Sequence, residues 1–389
     1  MKILFITSRF PFPLEKGDKL RAFNFIKCLS QQHEIHLFAI TENKPSPQDL
    51  QQLQPYCSSI TTVALSKPQI VWNLFKACFT QLPFQVSYFT FGKAQAQLRS
   101  LQQKIQADAA FFHLIRTAEL TDSIGNIPAA IDYMDTFSVG IKRRIASESI
   151  LTKWLWKWEY HKLLHYEAAV FSRFRVHTII SEQDRSFLPI IQKENITVIP
   201  NGVTTHPLQT SSKRYQIIFA GNMNYPPNIE AVTFLVKKIM PLVWQKIPDA
   251  KVVIAGAEPA AAVQKLANPK VEVTGWVNNI QEYFLASQML VAPMLTSIGL
   301  QNKLLEAMAL GIPCVTSGLA NNALQATPGK QILVANDAET FAVHIVNLLE
   351  NKELEHTISN EAYRFVLENY SWKKVAHSLN KLLEVLKKQ

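Results

Sequence analysis

Lys303 and Glu306 are the side chains best placed to do chemistry in this chain. They stand close together in SIGLQNKLLEAMALGIPCV, residues 297–315. At i,i+3 helical spacing a cation and a carboxylate share one face, about one turn apart. Such a pair can neutralise itself, which stabilises a helix by about 0.2–0.5 kcal/mol. It can also grip a ligand. A helix starting near Gly299 to Gln301 would present unbonded amides and the positive end of its dipole, which suit a phosphate. Lys303 adds a mobile positive charge for the same anion. Glu306, about a turn deeper, can accept hydrogen bonds from both hydroxyls of a ribose. Its neighbours favour the ligand: between Leu305 and Ala307-Met308-Ala309 a carboxylate is awkward without a partner. Gly311 suits the left-handed position that closes the helix.

Further candidates lie in the first half. In EKGDKLR, Gly17 lets the chain approach a ligand, and Asp18 and Arg21 can meet hydroxyls and phosphates. The plainer alternative is a turn glycine with Asp18 as the N-cap of the next helix. His113 and Arg116 follow an apolar run in FFHLIR. A lone histidine is more often a satisfied structural residue. IDYMDTFS offers Asp132 and Asp135, paired carboxylates able to serve acid–base or metal chemistry.

These residues need elements to hold them. A chain of 389 residues is too long for one compact core and suits two domains. With 48% hydrophobic and 18% charged residues it is globular in composition. A net charge of +10 favours anionic partners such as nucleotides, phospholipid surfaces or nucleic acid. Cys28, Cys57, Cys78 and Cys314 are scattered, with no CxxC, which reads as reduced thiols of a cytosolic protein and not as a zinc site. MKILFITSRFPFP reads as a buried strand rather than a signal peptide. No run of about 18 apolar residues predicts a membrane-spanning helix.

Short apolar runs ended by turn signals predict parallel strands. They are KILFIT, EIHLFAIT, SITTVAL, DAAFFHL, AAIDYM, VHTIIS and ITVIP. After a polar linker at 199–215 the pattern restarts with QIIFAG, AKVVIAG, VEVTGW, MLVAPM, PCVTS and QILVA. The opening is βαβ, so the fold class is α/β, with two Rossmann-like doubly wound halves facing a cleft that is the default ligand site. The expected boundaries are 1–204, 205–370 and an amphipathic C-terminal helix at 371–389.

On these residues the chain resembles the family 4 glycosyltransferases of GT-B fold, which retain anomeric configuration. The resemblance runs through PFPLEKGDKLR, ISEQDRSFL, VIPNGV, VTGWV, GLQNKLLEAMALGIPCV and YSWKKV. GNMNYPPN and the NKLLEAMALG stretch are also similar to sugar transferases of bacterial exopolysaccharide assembly. The resemblance implies a nucleotide-sugar donor on the second domain and a glycan or lipid-linked acceptor on the first, with the last helix returning to the first domain. It implies no cofactor and no essential metal. Glu306 would bind the donor ribose, Lys303 the diphosphate, and Gly275, Trp276 and Val277 the base. Gly17, Gly221, Asn222, Gly299, Leu300, Gln301 and Asn302 would complete the donor site. His113 would contact the transferred sugar, and Asp18, Arg21, Arg116 and Asp135 would lie on the acceptor side.

Two departures stand out. Ile298 occupies the place of the family's earlier glutamate, and FAGNMNYPPN lacks the Arg and Lys usual after the first strand of the second domain. A non-catalytic GT-B subunit or membrane-associated binding protein therefore stays open, as does a nucleotide-sugar epimerase. The basic, aromatic stretches 66–93 and 142–167 fit an anionic membrane surface or simply packed helices. The expected place is the cytoplasm, peripheral to the inner face of the cell membrane. No recognition motif supports nucleic acid.

Overall fold

The computed structural model of the protein describes residues 1–204, 212–296 and 299–387, apart from the side chains of 146, 147, 150 and 151. The chain divides into two compact units, Met1–Pro200 with Val375–Gln389, and Asn201–Lys374. Residues 205–211 of the expected linker, including the expected boundary at 205, lie outside the described residues.

The first unit is built on β1 (Lys2–Thr7), β2 (Glu34–Thr41), β3 (Ser59–Ala64), β4 (Ala109–His113), β5 (Ala129–Asp132), β6 (Val176–Ile179) and β7 (Ile196–Val198). All pairings are parallel, in the order β3-β2-β1-β4-β5-β6-β7. Helices cover both faces of such a sheet, so its central strands are apolar on both sides. Leu4 and Ile6 point into one layer with Phe38 and Phe112, while Ile3 and Phe5 are equally buried. The order reverses between β1 and β4, with Thr7 opposite His113. Ligands of open parallel sheets bind beyond the strand ends at such a reversal.

The Ile150–Phe171 helix settles much of the 142–167 stretch as packing. Leu163, Tyr166 and Val170 enter the core, and buried Glu159 accepts the amides of Phe84 and Gln85 at 2.7 and 3.1 Å. The Trp372–Lys387 helix buries Val375, Leu379, Leu383 and Leu386 at helical spacing. Asn380 on it donates to Gln32 at 2.9 Å and pairs with His33, which fastens the chain's end to the first unit.

The second unit holds β8 (Tyr215–Ala220), β9 (Val252–Ala255), β10 (Val271–Gly275), β11 (Ser287–Ala292), β12 (Cys314–Thr316) and β13 (Leu333–Val334). They are parallel in the order β10-β9-β8-β11-β12-β13, so this reversal lies between β8 and β11. VIPNGV and YSWKKV meet here: the Val203 amide donates to the Tyr370 carbonyl at 2.7 Å. A Cβ on Gly202 would fall 2.5 Å from the Trp372 ring. These two motifs are structural partners.

Candidate functional site

The reversal in the second sheet opens into a pocket of about 470 Å³. Its floor is backbone. Gly221 follows β8 with φ +154°, and Gly256 follows β9 with φ +146°, conformations that side chains avoid. A Cβ on Gly256 would come within 1.7 Å of the Gly221 carbonyl oxygen. The chain can therefore approach a ligand closely here. Gly256 went unassigned in the sequence, although AKVVIAG ends on it.

One wall is the Asn302–Ala309 helix, which follows β11. Gly299 turns the chain into it with φ +65°, and Gln301 is the N-cap residue without a side-chain cap. The helix ends as expected at Gly311, φ +69°. The Gly311 amide bonds the Met308 carbonyl and the Ile312 amide the Ala307 carbonyl, a Schellman closure. Burying Leu304, Leu305, Ala307 and Met308 fixes the helix, and Lys303 and Glu306 then face the pocket.

The two do not form the simple ion pair. The Lys303 ammonium donates to Asn228 Oδ1 at 2.7 Å and lies 4.1 Å from the Phe219 ring centroid. Asn228 in turn donates to the Asn222 carbonyl at 2.8 Å. Half-buried Glu306 has no hydrogen-bond or salt-bridge partner among the described residues. Burial pushes the Lys303 ammonium down to about 7, only partly offset by Glu306. Burial likewise pushes the Glu306 carboxyl up to about 7 against the pull of Lys303. A charged ligand carrying both an anion and hydroxyls would satisfy both groups.

Gly221, Trp276, Val277, Leu300, Gln301 and Asn302 also line this pocket. Trp276 is 71% exposed. Asn222 is exposed and is not among the residues lining the pocket; its side chain accepts from the Asn224 amide at 2.8 Å. Gly275, φ +69°, turns the chain out of β10 into Trp276. Ile298 lies outside the described residues. Asn228, like Gly256, is a pocket residue that sequence reasoning missed. It stands in the quoted GNMNYPPN, but only the fold brings it to Lys303.

The first-unit candidates separate into two groups. Arg21 is fully buried. Its guanidinium donates to both Asp132 oxygens at 2.7 and 3.0 Å, and to the Ile199 and Pro200 carbonyls at 2.8 and 3.0 Å. Its expected place among acceptor contacts is corrected: it ties the Gly17–Leu29 helix to β5 and the end of β7. Burial opposes charge on Asp132, but Arg21 and His113 hold its carboxyl well below the usual range. Asp132 is thus committed to Arg21, His113 and Thr178 and forms no carboxylate pair with Asp135. His113 is 2% exposed, with Nδ1 3.1 Å from Asp132 and Nε2 3.0 Å from the Asp18 carbonyl oxygen. Both ring nitrogens are engaged, so the geometry supports a positioning residue. Gly17 begins the helix with ordinary φ, where a Cβ would stand 3.3 Å from Met134. Asp18 lies in the first turn rather than at the N-cap, which is Lys16, and accepts from Arg9 at 2.8 Å. Arg116 lies against Phe137 and Phe89, donates to Gln85 at 2.9 Å, and is pushed down to about 10 by burial and by Arg9. Asp135 is exposed beyond β5.

Comparison with known proteins falls on this arrangement. The chain is 22% identical to a Klebsiella pneumoniae protein described as "Uncharacterized 44.6 kDa protein in cps region", over 98% of this chain and 99% of that one. Sucrose-phosphate synthase from Thermosynechococcus elongatus has a similar structure, with TM-score 0.68 at 15% identity, covering 99% of each chain. Anabaena Alr3699/HepE in complex with UDP gives TM-score 0.66 at 14% identity, covering 99% of this chain and 100% of that one. The fold is GT-B. Residues 214–351, which hold the pocket, match the family described as glycosyl transferases group 1.

Proposed function

We propose that the protein is a glycosyltransferase that moves a sugar from a nucleotide-sugar donor to a glycan or lipid-linked acceptor in polysaccharide synthesis, with retention. The observation that carries this is Glu306, a carboxylate with no hydrogen-bond or salt-bridge partner among the described residues, facing the same pocket as Lys303. The nucleoside diphosphate lies with its ribose hydroxyls on Glu306 and its phosphates against Lys303, the Gly221 floor and the 302–309 helix start. The UDP bound in the HepE structure and the cps-region relative support this reading.

In the transfer, an acceptor hydroxyl attacks the anomeric carbon from the face the diphosphate leaves. The carbon–oxygen bond to phosphate breaks as the new glycosidic bond forms, and the hydroxyl proton passes to the departing phosphate oxygen. Lys303 and the helix amides stabilise the growing negative charge, so the reaction needs no metal ion.

UDP, GDP and ADP are to be compared by thermal unfolding without added metal. The cognate nucleotide, at about 100 times its dissociation constant, adds about 2.7 kcal/mol of stability. No stabilisation by any of the three would sink the donor assignment. Acceptor-dependent release of nucleoside diphosphate then separates a transferase from a non-catalytic relative and from an epimerase.

Affinity also depends on pH. In the free protein Lys303 loses its proton near pH 7. The bound diphosphate holds the ammonium charged, so above pH 7 binding takes up a proton. Affinity therefore falls about tenfold per pH unit on the alkaline side. Calorimetry in buffers of different ionisation enthalpy reads that proton directly; zero uptake at pH 8 would contradict it.

A further inference from the structure

One cavity in the first unit is not explained by nucleotide binding. It encloses about 650 Å³, within the range of small-molecule sites. Leu74, Phe75, Phe84, Phe89, Leu155 and Trp156 make its walls mostly apolar. Its polar side carries Arg9, Glu42 and Arg116. Arg9 lies just beyond the carboxyl end of β1, Glu42 beyond β2 and Arg116 beyond β4, at the reversal of the first sheet. The Arg116 Nε is buried without a hydrogen-bond partner. Outside, the apolar wall continues as an exposed ladder: Trp72 stacks on Phe75 at 5.8 Å, and Phe75 meets Phe79 edge-on at 5.2 Å. These three are 55%, 54% and 77% exposed.

We infer that this cavity binds the acceptor as an amphiphile, a hydroxyl-bearing sugar head joined to an apolar chain. Guanidinium donors beside a carboxylate acceptor match hydroxyls, which both accept and donate. A free sugar would leave the aromatic walls unused. A plain alkyl chain would leave the buried Arg116 Nε without a partner. An amphiphile satisfies both ends, and a chain longer than the cavity leaves it along the Trp72–Phe75–Phe79 ladder. The assignment of this ligand as acceptor rests on the transferase reading; the occupancy of the cavity does not.

Cys78 borders the cavity and is exposed, whereas Cys57 does not line it. Alkylation of the full chain by N-ethylmaleimide, resolved by peptide mass spectrometry, reports on each thiol. Dodecyl maltoside, kept below its micellar concentration at about ten times its dissociation constant, slows Cys78 about tenfold. Cys57 is unaffected, and maltose alone protects neither. Leu74→Trp fills the cavity and removes the protection. Equal slowing of both thiols, protection by maltose, or no protection at Cys78 overturns the inference. These wild-type arms stand even if Leu74→Trp fails to fold. Protection persists in Glu306→Ala, so failure of nucleotide binding bears on the donor reading alone.

Discussion

Glu306→Ala removes stabilisation by the cognate nucleoside diphosphate and leaves the ligand-free protein at least as stable as the wild type at and above neutral pH. The two halves of this result have one cause. In the free protein the carboxylate has no hydrogen-bond or salt-bridge partner among the described residues, so its removal breaks none of their bonds. Its raised pKa also sets a sign. A carboxyl held near 7 in the fold, against 4.5 for the ordinary group, is one the fold prefers protonated. Stability from it is present below pH 4.5 and is lost as pH rises through 7. Above pH 7 the alanine variant therefore escapes a desolvation cost. In the complex, two ribose hydroxyls donate to a charged acceptor, and each such bond contributes about 1.5–3 kcal/mol. Losing both weakens nucleotide binding by at least about a hundredfold. Thermal unfolding with and without nucleotide measures both halves together. A destabilised free variant that still binds nucleotide normally would assign Glu306 a structural role.

Arg21→Ala unfolds the first unit more readily, by about 3–5 kcal/mol. Asp132 is fully buried, and without Arg21 it keeps only His113 and Thr178. The carbonyls of Ile199 and Pro200 lose their guanidinium donors at the same time. Arg21→Lys does not restore the bonds, because one ammonium cannot fork to two carboxylate oxygens and two carbonyls in this geometry. Urea denaturation monitored by circular dichroism gives the magnitude. A loss below about 1 kcal/mol, accompanied by full loss of transfer activity, would return Arg21 to the acceptor site.

The contrast between these two residues shows what could be read in advance. All thirteen apolar runs form strands, because a parallel sheet buried on both faces needs continuous Val, Ile, Leu and Phe and ends at turn residues. The Asn302–Ala309 helix and its closure at Gly311 were equally legible, since both depend on local spacing. Pairings across the fold were not. Lys303 meets Asn228 over 75 positions, and Arg21 meets Asp132 over 111. Proximity in sequence proposed Glu306 for Lys303, but the helix surface lets the lysine reach a different partner. Similarly, EKGDKLR displays Asp18 and Arg21 as neighbours, yet helical geometry sends Asp18 to Arg9 and Arg21 into the core.

The glycine floor has a further consequence. With Gly221 and Gly256 pressed together, no side chain can rise between β8 and β9 to meet a phosphate. Lys303 is the single cation among the described residues lining the pocket. It is also shielded from the solvent by Asn228 and Phe219. Dissolved ions screen exposed charges within about 8 Å at physiological ionic strength, but buried contacts much less. Nucleotide retention in this pocket is therefore tolerant of salt, unlike a site ringed by surface arginines and lysines.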